Sequence, residues 1–220
     1  MRKVIKIVGN ILKVLIVISI TFYLVEIVFF PKKAIEVKMD QERTQFLDVN
    51  YKLVASKRAA EKDSESNGWY VSDNEAQQNE GRFSREGIFL RIDTEEDTLV
   101  DGTFIADRLY LVNNSEEKLC LPAQDSRLYL TMQAKNILGA WNDIEYLPNS
   151  WCGNSYHEVC LSNGEFWEFA SLQFRGRYRT KYRYRLDGLE SSLFSNEVEG
   201  YINSGQFVVK QEYLPLGVLD

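Results

Sequence analysis

RGRYRTKYRYRL, residues 175–186, alternates cations with aromatic or other uncharged residues at a period of two. Successive side chains of a β-strand point to opposite faces of the sheet, so the stretch predicts a strand with one cationic face and one core-facing side. The core-facing side holds Tyr178, Tyr182, Tyr184 and Leu186. The cationic face, which we call the basic strip, comprises Arg175, Arg177, Arg179, Lys181, Arg183 and Arg185.

Around this strand the chain from Gly87 onward is a series of short β candidates separated by turn residues. Asn163-Gly164, between two apolar and aromatic runs, is the strongest hairpin signal. Many short strands that follow one another with only turns between them predict a mostly β protein built as an antiparallel β-sandwich. The predicted strands are Ile88–Ile92, Ala106–Asn113, Lys118–Leu121, Arg127–Ala134, Trp141–Leu147, His157–Ser162, Glu165–Leu172, Arg177–Leu186, Glu197–Ile202 and Phe207–Val209.

The segment before these strands has two parts with different patterns. Residues 47–53 alternate apolar and polar side chains, which predicts a further strand. Residues 57–85 are rich in charged and polar residues and have no periodicity, so we expect a long polar loop there.

The N-terminal segment is expected to cross a membrane once. VLIVISITFYLVEIVFF, from Val14 to Phe30, carries Glu26 as its only charge and would span about 25 Å as a helix. The run ends in Phe29-Phe30-Pro31 instead of the small residues of a cleavage site, so we expect it to be retained. Cations lie on both sides of the span, and the short basic tail before it resembles that of a signal anchor.

This predicts a single-pass protein of the cell membrane with its C-terminal domain outside the cytoplasm. Residues 1–31 would be a cytoplasmic tail and transmembrane signal anchor, and residues 32–44 a juxtamembrane stalk. Residues 45–220 would form the extracytoplasmic β-sandwich.

A stretch near the C-terminus, from Gly176 to Val198, resembles part of fibronectin type III and related immunoglobulin-like domains. The residues that carry the resemblance are Gly176-Arg177-Tyr178, the alternating strand to Leu186, and Ser195-Asn196-Glu197-Val198. The resemblance implies an immunoglobulin-like antiparallel β-sandwich with Tyr178 as the tyrosine corner, and a role in recognition or scaffolding. It implies no particular ligand.

The charge distribution argues against nucleic acid as a partner. The chain has a net charge of −6, while its first 33 residues contain six cations and one acid, so the remainder carries −11. An acidic domain of this kind repels a polyanion as a whole.

The basic strip has two interpretations. It could bind an anionic partner such as lipid headgroups, an anionic envelope polymer or an acidic protein surface, because the arginine fork matches phosphate and carboxylate groups. Alternatively, carboxylates of neighbouring strands neutralise it, for which Glu165, Glu168, Glu197 and Glu199 are candidates.

WCGNSYHEVC, residues 151–160, contains the single histidine and two of the three cysteines. Cys152, His157 and Cys160 are suitable zinc ligands, but a fourth ligand is missing, so no metal or other cofactor is predicted. Cys152 and His157 could instead form the dyad of a thiol enzyme. We expect a disulfide between Cys152 and Cys160, with Cys120 as a buried thiol.

Together these features predict a membrane-anchored extracytoplasmic binding or scaffolding module and not an enzyme. One alternative is a thiol enzyme centred on Cys152 and His157. The other, based on fold analogy alone, is a protease-inhibitor-like sandwich that presents a loop.

Overall fold

The computed structural model describes residues 45–61, 72–148 and 155–210. The chain divides into two units between Gln41 and Glu42, and all described residues belong to the second. The predicted membrane span at 14–30 and the stalk at 32–44 lie outside the described residues. Within the described ranges, no helix is long and apolar enough to cross a membrane.

The described part is mostly β, as predicted. Its strands are β1 (Leu53–Val54), β2 (Gln77–Gln78), β3 (Gly87–Val100), β4 (Phe104–Asn114), β5 (Leu119–Gln124), β6 (Arg127–Leu128), β7 (Leu130–Lys135), β8 (Trp141–Asp143), β9 (Glu145–Tyr146), β10 (Tyr156–Leu161), β11 (Glu165–Leu172), β12 (Tyr178–Leu186), β13 (Leu193–Phe194) and β14 (Val198–Ile202).

Two larger antiparallel sheets provide most of the structure. The first, here the long sheet, has the order β2-β11-β4-β3. The second, here the basic sheet, has β7 and β8 on one side of β12 and β13 and β14 on the other. A small sheet has the order β10-β5-β6, and β1 pairs with β9 in parallel.

The two larger sheets face each other across one hydrophobic core. Strand alternation sends Trp167 of β11 and Tyr184 of β12 into this core, where both are fully buried. A hydrogen bond joins the two sheets directly, because the Tyr182 hydroxyl donates to Asp107 Oδ2 at 2.6 Å. The period-two pattern of residues 175–186 therefore separates core from surface as expected.

A second, smaller core lies on the other face of the long sheet. It consists of Phe83, Phe89, Tyr110, Val112 and Phe166. Phe83 contributes from the segment that was expected to be a polar loop at 57–85. The described parts of that segment form no long strand, yet they contain buried side chains and so belong to the folded body.

Two predicted strands are wrong. Of residues 47–53, only Leu53 belongs to a strand, β1, while Leu47 and Lys52 form isolated bridges. Phe207–Val209 does not form a strand; the chain makes a 3₁₀ turn at Ser204–Phe207. Gly205 approaches Asn50 so closely that a Cβ would stand 2.2 Å from the Asn50 carbonyl oxygen. Gln206 also bonds back to the main chain of Asn203, which favours a tight turn over an extended strand.

A buried ion pair ties the segment after β1 to the basic sheet. Lys57 Nζ lies 3.1 Å from Glu145 Oε1, and the two side chains are 4% and 1% exposed. Glu145 Oε2 also accepts the Met132 N–H at 3.0 Å. The two ends of the ion pair are 88 residues apart in sequence, so no local pattern indicates it.

A buried carboxyl group stands between the two larger sheets. Asp107 accepts hydrogen bonds from Tyr182 and from Gln173 Nε2, the latter at 2.8 Å. Burial raises the pKa of Asp107, and the nearby Asp97 carboxylate adds to the rise, while the two donors oppose it.

The free energy of unfolding should therefore fall as the pH rises from the ordinary carboxyl pKa towards the raised pKa of Asp107. Over that interval the folded protein holds the proton more tightly than the unfolded chain does. Asp107→Asn removes this titration and should flatten the dependence, measured by urea unfolding across about pH 4–7. Asp101→Asn, in an exposed turn, is the matched control, and equal slopes for Asp107→Asn and the wild type would contradict the prediction.

Candidate binding surfaces

The basic strip lies on the outer face of the basic sheet. Its members alternate with the buried Thr180, Tyr182, Tyr184 and Leu186 along β12 and the residues before it. Arg175, Arg177, Arg179 and Lys181 are exposed, while Arg183 and Arg185 are half-buried. Arg179, Lys181, Arg183 and Arg185 therefore share one face of β12, and Arg175 and Arg177 precede the strand.

Carboxylates on neighbouring strands neutralise much of the strip. Lys181 pairs with Glu197 at 3.2 Å, and Arg179 pairs with Glu199 across the same strands. Arg185 bonds to Asp143 at 3.2 Å and to Asp187 at 2.9 Å. Because these are exposed or half-exposed pairs, their main effect is to cancel charge rather than to add stability.

Two of the four carboxylates predicted to neutralise the strip do so. Glu197 and Glu199 lie beside the strip, but Glu165 and Glu168 belong to the long sheet. Glu168 pairs there with Arg108 at 2.8 Å, and Glu165 accepts a hydrogen bond from Gln78.

Arg183 has an aromatic environment that the sequence did not indicate. Its guanidinium carbon lies 4.1 Å from the centroid of the Trp141 ring and 3.9 Å from that of the Phe194 ring. Desolvation lowers the pKa of Arg183 from its ordinary value. Arginine and aromatic side chains of this kind are enriched where protein surfaces bind each other.

The end of the strip that precedes β12 keeps its charge. Among the described residues, neither Arg175 nor Arg177 forms an ion pair, and both side chains are exposed. Their cations are the part of the strip that stays free for an anionic partner.

The turn between β7 and β8 displays two large apolar side chains. Ile137 is 76% exposed and Leu138 is 88% exposed. Asn136 holds the turn, since its Oδ1 accepts the N–H groups of Leu138 and Ala140 at 2.9 and 3.0 Å. Its own N–H donates to the Ala140 carbonyl at 2.8 Å. We call residues 136–140 the tip. The hydrogen bonds of the turn hold its two apolar side chains in an exposed position.

The tip adjoins the aromatic part of the outer face. Lys135 and Trp141 are paired in the register of β7 and β8, directly before and after the turn. Lys135 Nζ lies 4.7 Å from the centroid of the Trp141 ring. The sequence analysis missed this site. The signal that would have indicated it is the apolar pair Ile137-Leu138 between Asn136 and Gly139, because turns usually expose polar side chains.

The predicted disulfide between Cys152 and Cys160 is wrong. Cys160 is bonded to Cys120, and their Cα atoms are 4.1 Å apart. The two residues are direct partners in the antiparallel register of β10 and β5. Cys120 is exposed instead of buried, and Cys152 lies outside the described residues.

His157 has polar contacts in the small sheet. Its Nδ1 lies 3.2 Å from the Ser155 carbonyl oxygen, and its Nε2 lies 3.5 Å from Ser126 Oγ. With Cys152 not described, a Cys152–His157 dyad stays a prediction. Across the described residues, no group of three metal-ligating side chains comes together.

Tyr178 begins β12 and packs against Phe207, with ring centroids 5.9 Å apart in an edge-to-face arrangement. Burial raises the pKa of its hydroxyl. Its role as a tyrosine corner stays a prediction.

If the strip binds an anionic polymer, Arg175 and Arg177 should carry most of the binding. Arg175→Ser/Arg177→Ser should elute from immobilised heparin at a clearly lower salt concentration than Arg179→Ser/Arg185→Ser, although both variants lose two charges. The reason is that Arg179 and Arg185 are already paired. Equal losses, or no retention of the wild type, would count against the strip as a polyanion site.

In comparisons with protein-family models, curated proteins and solved structures, the chain gives no match.

Proposed function

We propose that the chain is a membrane-anchored, extracytoplasmic binding or scaffolding module with an immunoglobulin-like β-sandwich. Residues 14–30 would anchor it in the cell membrane, with the C-terminal domain outside the cytoplasm. The observation that carries the binding role is the tip, where Ile137 and Leu138 stand in solvent on a hydrogen-bonded turn.

The energetics of the tip favour a partner. Burying one large aliphatic side chain yields roughly 1.5–3 kcal/mol, and this gain is not realised at Ile137 or Leu138. The turn is already held by hydrogen bonds, so the tip would lose little further conformational entropy when a partner contacts it. Arg183, Trp141 and Phe194 extend the same face with residue types that dominate binding energy at interfaces.

The disulfide supports the location. Structural disulfides persist in oxidising compartments and are rare in the cytosol of most organisms. Cys120–Cys160 closes a sequence separation of 40 residues, for which loop-entropy models give about 4 kcal/mol of stabilisation.

A thiol count on intact cells tests the location. Free thiols are blocked with a membrane-impermeant maleimide, and the protein is then denatured and relabelled with and without reductant. Two additional labels, on Cys120 and Cys160, should appear only after reduction, and Cys120→Ser/Cys160→Ala should lose both. Three free thiols that react only after lysis would place the domain in the cytoplasm and contradict the proposal.

Photo-crosslinking from the tip tests the binding role. A photoreactive amino acid replaces Leu138 in the full chain, expressed in its own cells, and the same replacement at the exposed Glu95 is the control. A discrete product should form from position 138 and be lost with Ile137→Ser, because that change removes half of the apolar contact. No product, or the same products from both positions, would overturn the assignment of the tip.

A further inference from the structure

The long sheet has an open edge along β11. On the side away from β4, Glu165 and Phe166 are the residues of β11 that pair with another described strand, β2. Among the described residues, no strand pairs with Glu168–Leu172 on that side. An unpaired strand edge is a template on which another extended chain can form hydrogen bonds.

The register shows which main-chain groups face this edge. Gln173 N–H donates to the Ile105 carbonyl, so the odd-numbered residues of β11 direct their groups towards β4. The N–H and C=O groups of Glu168 and Ala170 consequently point to the open edge. No main-chain hydrogen bond from a described residue reaches them there.

A cleft of about 300 Å³ lies along the same edge. Its lining has an apolar part that consists of Val100, Phe169 and Leu172. The polar part of the lining, which we call the polar wall, includes Ser56, Arg58 and Asn74. Asn74 Nδ2 donates to the Arg58 carbonyl at 3.0 Å and the Ala60 N–H donates to the Asn74 carbonyl at 2.8 Å, so this wall is fixed.

Arg58, a half-buried residue, contributes a cation to the lining of the cleft. Its Nε is buried and has no hydrogen-bond partner, and within the described ranges Arg58 forms no ion pair. By contrast, Glu168 at the cleft is neutralised by Arg108. A buried arginine donor without a partner favours a carboxylate as its acceptor.

We propose that this cleft binds an extended peptide segment that bears a carboxylate and adds to the long sheet as a strand beside β11. The main chain of the peptide bonds to Glu168 and Ala170, its carboxylate bonds to Arg58, and an apolar side chain contacts Phe169. This mode of recognition draws affinity from main-chain bonds and specificity from alternate side chains.

The experiment uses the full chain in lipid nanodiscs and a phage-displayed library of random heptapeptides. Enriched sequences should contain an acidic residue among β-branched or apolar ones. Binding of the synthetic peptides should weaken about tenfold with Ala170→Pro, which removes an outward N–H at a position where edge strands tolerate proline. Ala170→Val keeps the N–H and should bind as the wild type does.

Two further measurements keep the result independent of the stability of the proline variant. Arg58→Gln should weaken binding about tenfold and reduce its salt dependence. In a β-ladder only every second peptide N–H points to β11. N-methylation of those amides should therefore abolish binding, and N-methylation of the amides between them should leave binding unchanged.

The proposal would be overturned if no peptide sequence is enriched. It would also be overturned if neither Arg58→Gln nor N-methylation changes the binding of the synthetic peptides. Ile137→Ser/Leu138→Ser should leave peptide binding unchanged, because the tip belongs to the other sheet. Failure of the tip as a partner site and failure of the β11 edge are thus separate outcomes.

Discussion

The buried ion pair between Lys57 and Glu145 is the constraint on which the arrangement of both candidate surfaces depends. Glu145 receives Lys57 and the Met132 N–H, while the Lys57 carbonyl accepts the Leu128 N–H at 2.9 Å. The pair therefore holds the segment after β1 against β6, β7 and β9 at once. Removing one member of such a pair typically costs about 3–5 kcal/mol, because the other charge is left buried alone. The neighbours of Lys57 in this segment, among them Arg58, form a wall of the β11 cleft.

Charge cancellation then decides what the outer surface can bind. The strip looks like a row of six cations in sequence, but Glu197, Glu199, Asp143 and Asp187 meet three of them. Arg183 is held by aromatic rings instead. The groups that are left for a partner are of two kinds, and the antiparallel register of β7 and β12 puts both at the same end of the sheet. Two free arginines precede β12, and an apolar tip follows β7. A protein surface with a hydrophobic patch and an acidic rim fits this pair of features better than a uniform polyanion does.

The sequence predicted the elements better than their partners. Alternation at period two was sufficient for β12 and for the mostly β class, because one buried face imposes that pattern on the residues themselves. Pairing between distant strands leaves no such local trace. Cys160 meets Cys120 because β10 and β5 share a register, although Cys152 is nearer in sequence. Likewise, Lys57 within a polar stretch resembles any surface lysine, and only the fold brings Glu145 to it.

The two candidate surfaces lie on different sheets and use different chemistry, which bears on the choice between binding and scaffolding. The tip offers apolar side chains from the basic sheet, whereas the β11 edge offers main-chain donors and acceptors from the long sheet. Neither requires the other to be occupied, since the residues that build them form separate hydrogen-bond sets. A module that can hold two partners at once raises the effective concentration of each near the other without any catalytic group. If both proposed surfaces bind partners, their independence would favour a scaffold over a receptor for a single ligand.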